Sequence, residues 1–162
     1  MWPRPAVALV AGALLLMAPA ASAQEVEGAE VVVRLQDQRI YESSGLALSH
    51  RHRAVLWTHN DSGGDPALYA VGSDGRTLAT LTLAGAEARD WEAMAAGRDD
   101  GGRPALFVGD IGDNNGVWPE VAVYRVAEPA ELRDVTVPAT RYRLRYADGP
   151  HDAEALLVDP RS

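Results

Sequence analysis

The sequence predicts an all-β fold, the N-terminal part of a β-propeller, and two observations predict it. Short apolar runs alternate with turns rich in Gly, Asp and Asn, the pattern of antiparallel strands. That pattern repeats: Leu56 and Leu106 hold equivalent places fifty residues apart, and a four-stranded unit of roughly 40–50 residues is the period of a propeller blade. The chain has no cysteine, so burial or bound ions must hold whatever fold it adopts rather than disulfides.

Residues 1–23 read as a secretory signal peptide. Arg4 gives a positive start, Ala6 to Ala18 is an apolar run, and Ala21-Ser22-Ala23 is a small-residue cleavage site. The run is short for a bilayer span of roughly 20 residues, and Pro19 interrupts it. The expected mature protein is therefore secreted or extracytoplasmic, with no stable membrane insertion after cleavage. It has 139 residues, with fourteen arginines against twenty-three acids, a net charge of −9. Such a surface repels nucleic acid and anionic lipid and suits cations.

Residues 24–40 are expected to form an N-terminal strand segment, with Glu30 to Leu35 as its strand and Val31-Val32-Val33 as its β-branched centre. This strand would complete a last blade. Residues 41–162 form the partial propeller domain, about two four-stranded blades and the start of a third.

The first unit opens at Leu46, behind Ser44-Gly45. It continues with Val55-Leu56-Trp57, the turn Asn60-Asp61-Ser62-Gly63, Leu68 to Val71, and Thr77 to Leu83. The second opens at Met94, behind Glu92-Ala93, and continues with Ala105-Leu106-Phe107, the turn Asp110 to Asp113, Val121 to Tyr124, and Thr140 to Tyr146. Ala84 to Ala96 is rich in helix formers, and local propensity alone favours a helix there, but the repeat assigns its second half to a strand. The third unit starts at Asp152-Ala153-Glu154, delayed by the Pro-containing stretch Glu128 to Pro138. A closed propeller needs about four blades or more, so the chain is expected to be cut short, at the turn Asp159-Pro160-Arg161. Trp57 and Phe107, at equivalent positions, are expected in the core between blades.

Strand reversal then gathers the acids. If the innermost strand of each unit starts on one face, the second strand ends on that face. Asn60, Asp61, Asp90, Glu92, Asp110, Asp113, Asn114, Asp152 and Glu154 all fall there, and they are the candidate metal ligands. Two carboxylates 4 Å apart repel by about 4 kcal/mol at an effective dielectric near 20, so a cation, an Arg or a raised pKa must offset them. Calcium is the expected ion, because it takes carboxylate, amide and carbonyl oxygens; with no Cys and four His, zinc is disfavoured. The competing reading is that these residues only shape turns, with Arg89 and Arg98 as charge partners. Asp110 to Gly116 is not an EF-hand loop, since Val121 stands where its last Glu should be.

Other motifs give less. Asn60-Asp61-Ser62-Gly63-Gly64 looks like a serine-protease nucleophile loop, but only thirty-eight mature residues precede Ser62, too few for the preceding barrel. His50 and His52 sit in a basic turn on the opposite face. No catalytic residue is assigned.

Asp90-Trp91-Glu92-Ala93-Met94-Ala95, Val108-Gly109-Asp110-Ile111-Gly112-Asp113-Asn114, Val123 to Pro129 and Asp152-Ala153-Glu154-Ala155-Leu156 occur in an order that resembles a family of bacterial exported proteins with a six-bladed, TolB-like β-propeller, often described only as WD40-like. The resemblance runs from about Glu42 to Pro160, and Gly109 to Asn114 is its most specific part. It implies a fold more firmly than an activity. It is distantly similar to phytase-like and esterase-like propellers, in which calcium and acidic residues sit over the channel. The leading expectation is a module that binds a small molecule or an extracellular protein, with calcium over the channel. The alternatives are a calcium-dependent phosphoesterase or esterase-like hydrolase with Glu92, Asp110 or Glu154 as base, and a purely structural extracellular module.

Overall fold

The computed structural model describes residues 30–159. The expected signal peptide and residues 24–29 lie outside them. The described strands all belong to one compact unit, Val32–Ser162, and no helix occurs among the described residues; none is therefore long and apolar enough to cross a membrane.

The strands are β1 (Ser43–Leu48), β2 (Val55–Asn60), β3 (Ala67–Gly72), β4 (Thr77–Ala84), β5 (Trp91–Arg98), β6 (Pro104–Asp110), β7 (Val121–Ala127), β8 (Val135–Pro138) and β9 (Thr140–Leu144). They form two sheets, β1-β2-β3-β4-β8 and β5-β6-β7-β9. Within β1 to β4 and within the second sheet every neighbour is antiparallel. The helix-prone stretch is overridden in its second half: β5 pairs along its length with β6 and buries Trp91, Ala93 and Met94. Ladder pairing together with burial outweighs a few tenths of a kcal/mol of propensity per residue.

The registers of the two sheets correspond row by row. Ala47, Trp57, Ala70 and Ala79 stand opposite one another across the first sheet, as Ala95, Phe107, Arg125 and Thr140 do across the second. The neighbouring rows match too: Leu46, Thr58 and Tyr69 against Met94, Val108 and Tyr124.

The main core lies between the sheets. Trp57, Leu68, Leu81 and Leu83 from the first meet Trp91, Leu106, Val108, Tyr124 and Val126 from the second; each buried Leu or Val contributes about 1.5–3 kcal/mol. The sheets come closest at β1 and β5. A Cβ on Gly45 would stand 2.7 Å from the Met94 nitrogen and would collide with the His59 ring, so only glycine allows this approach. His59 is fully buried there, edge-on to Trp91 at 5.5 Å. Burial, opposed by the hydrogen bond between Nδ1 and the Asn60 carbonyl, pushes its pKa below the ordinary histidine value.

Four expectations need correction. Residues 30–42 contain no strand: Val31 and Val32 are exposed, and apolar side chains with nothing to pack on do not enforce strand pairing. The stretch expected to be a mere insertion contains β8, which runs parallel to β4 with Leu81 opposite Val135. The chain leaves β7, crosses to the edge of the first sheet, and returns to the second as β9. Residues 145–159 contain no strand, so the fourth strand of the second sheet ends at Leu144 and Asp152 lies in a segment without regular structure; the Ala153 N–H bonds to the Ile111 carbonyl, just past β6. Trp57 is buried as expected, but Phe107 is half-buried. It alternates with the core residues Leu106 and Val108, so it points to the other face of its sheet, where it lines a groove of about 470 Å³ with Val123, Tyr142 and Leu144.

Candidate functional site

Three pieces of chain meet at one end of the two sheets. The first is the end of β2. The Trp91 N–H donates to the Asp61 carbonyl at 3.1 Å, the Gly63 N–H donates to the Ala88 carbonyl at 3.1 Å, and Ser62 bridges Asp90. These contacts set Asp61 beside the start of β5. The second piece is the β5 start itself, which carries Asp90 and Glu92. Ile111 and Gly112 N–H both reach the Asp90 carbonyl at 3.2 Å, and the Ser44 hydroxyl donates to the Glu92 carbonyl at 2.9 Å. The third is the segment from Asp152. The Ala153 N–H donates to the Ile111 carbonyl at 3.2 Å, and the Asp113 N–H donates to Asp152 Oδ1 at 2.7 Å.

The result is two overlapping triads of carboxylates that share Glu92. One oxygen each from Asp61, Asp90 and Glu92 lies within 4.8 Å of the others, and the same holds for Glu92, Asp152 and Glu154. Burial, the charges of Asp61, Glu154 and Asp90, and a hydrogen bond with Glu154 push Glu92 up to about 7. Burial and then Glu42, Asp90 and Glu154 raise Asp61. Asp61 Oδ1 is buried without a hydrogen-bond partner. Gly112 is the floor of this end: a Cβ there would collide with Asp90 Oδ2 and stand 2.5 Å from Glu92 Oε1.

The other four candidates have different surroundings. Asn60 Oδ1 accepts from the Tyr41 and Glu42 N–H groups at 3.1 and 3.3 Å, and its Nδ2 donates to the Arg39 carbonyl at 2.7 Å, so it ties down the 39–42 stretch. Asp110 is buried, accepts from the Asp90 N–H at 2.9 Å and pairs with Arg89 at 3.6 Å; burial raises its pKa against those two partners. Asp113 accepts from Val117 and Trp118 N–H at 2.9 and 2.8 Å and shapes the turn. Asn114 is exposed on that turn. Of the arginines weighed as charge partners, Arg89 takes that role with Asp110, and its guanidinium also lies 4.5 Å from the centre of the Trp118 ring. Arg98 instead donates to the Gly102 carbonyl.

The donor set is oxygen only, with no His or Cys in either triad, and this suits a hard cation such as calcium, which takes roughly 6–8 oxygen ligands. The unpartnered Asp61 oxygen fits such an ion, and glycine at 112 lets the Asp90 and Glu92 carboxylates approach this end closely.

Sequence reasoning passed over Glu128. Its carboxylate is buried, accepts from Trp57 Nε1 at 2.9 Å and from the His50 N–H at 3.2 Å, and takes a short hydrogen bond from the Ser49 hydroxyl. Arg51 and His52 reach the Glu128 and Pro129 carbonyls at 3.3 and 2.8 Å. The basic turn thus locks the end of β7 to the first sheet. The signal was available: a buried Trp needs an acceptor for its indole N–H.

No family model matches the sequence, and neither a curated protein nor a solved structure matches it.

Proposed function

We propose that this chain is an extracytoplasmic binding module in which the two sheets are successive propeller blades and the acidic end takes a calcium ion. The blade reading draws on the row-by-row correspondence of the two sheets, and the location on the signal-like residues 1–23. The observation that carries the cation reading is the Asp61, Asp90 and Glu92 cluster, gathered from both sheets around a buried, unpartnered Asp61 oxygen. A charged oxygen so placed costs several kcal/mol unless a proton or a cation offsets it. With Asp152 and Glu154 added, the ion would bridge three separate pieces of chain, and it would present that end to a small-molecule or protein partner. Isothermal titration of calcium into the EDTA-stripped protein tests this: a saturable heat that disappears in Glu92→Gln is expected, and absence of any binding heat at millimolar calcium would overturn it.

A hydrolase reading has one observation of its own, the Glu92 carboxyl held at about 7, where a general base works best at neutral pH. Turnover of chromogenic phosphate and carboxylic esters by the wild type and by Glu92→Gln decides it. Equal rates in the two proteins dispose of Glu92 as a base.

A further inference from the structure

We draw no further inference here: the strongest candidate, the open apolar face of the second sheet around Phe107, Val123, Tyr142 and Leu144, is flanked on its β5 side by Leu156 and Val158, and nothing in the structure shows what covers the rest.

Discussion

Glu128 and Glu92 both bring a carboxylate to the place where the two sheets meet, at opposite ends of the molecule, and they are treated in opposite ways. Glu128 stands alone among donors: an indole N–H, a backbone N–H and a hydroxyl converge on it. Glu92 stands among four other acids, and burial together with those neighbours pushes its pKa up instead of holding its charge. A buried carboxylate with its hydrogen bonds made is a structural fastener; a crowd of carboxylates with an oxygen left over is a structure held short of its best energy. The difference teaches where to look for function: at the end that folding leaves unsatisfied.

The largest expected effect breaks the fastener. Glu128→Ala leaves Trp57 Nε1 and the His50 N–H without their acceptor, and hydrogen bonds to charged groups are worth about 1.5–3 kcal/mol each. Urea denaturation should show a loss of about 3–5 kcal/mol, while the calcium response of the remaining folded protein stays intact. A loss under 1 kcal/mol would place the inter-sheet lock elsewhere.

Calcium should act on the other end only. At one hundred times its dissociation constant it adds about 2.7 kcal/mol, read as a rise in melting temperature that EDTA reverses. Asp61→Asn and Glu92→Gln should each abolish most of that rise. Because their removal also relieves repulsion, both variants should be at least as stable as the wild type in EDTA. If either variant is less stable than the wild type in EDTA, the picture of a strained apo cluster fails.

Burial and the same repulsion together fix a pH dependence. Glu92 titrates at about 7 in the folded chain against an ordinary 4.5, so between those values the folded state holds a proton that the unfolded chain has released. Metal-free stability attributable to Glu92 therefore falls as pH rises from about 4.5 to about 7 and stays low above that. Asp61 and Asp110 are raised as well and act in the same sense. Asp37 and Asp99 are lowered by Arg39 and Arg103 and act in the opposite sense at lower pH, so the clean measurement is the stability gap between wild type and Glu92→Gln in EDTA. That gap should widen from pH 4.5 to pH 7.5. Calcium affinity should rise over the same window, since binding requires the ionised carboxylate.

How much of this was legible in the sequence divides along the same line. The gathering of Asp61, Asp90, Glu92, Asp152 and Glu154 at one end followed from strand reversal, a rule that needs only the order of runs and turns. Even the wrong assignment of a strand to Asp152 did not disturb it, because the Ala153 N–H and Asp152 Oδ1 still bond to the Ile111–Asp113 turn. What strand order could not give was which oxygens are already spent. Asn60, Asp110 and Asp113 read from sequence like Asp61, and only the backbone N–H groups that each accepts tell them apart. The parallel pairing of β8 was illegible for a related reason: Val135–Pro138 is short, with a half-buried alternation, and its partner β4 lies more than fifty residues back. Glu128 was hidden by its neighbours, since an acid before Pro129 reads as loop surface.

Smaller effects sharpen the comparison at single-atom scale, on the turn that follows β6. Gly112→Ala puts a methyl group into the space between Asp90 and Glu92, while Asn114→Ala, two residues on, removes an exposed side chain. The backbone tolerates alanine at position 112, where φ is not positive, and the clashing atoms are the ends of movable carboxylates. The fold should therefore survive, with the carboxylates displaced from their shared centre. Calcium affinity measured by titration calorimetry should drop about tenfold, close to 1.4 kcal/mol. Asn114→Ala should change stability by less than about 0.5 kcal/mol and leave affinity unaltered. If Asn114→Ala weakens calcium as much as Gly112→Ala does, the ion is held by the turn rather than by the triads, and the unsatisfied end of the molecule is the turn itself.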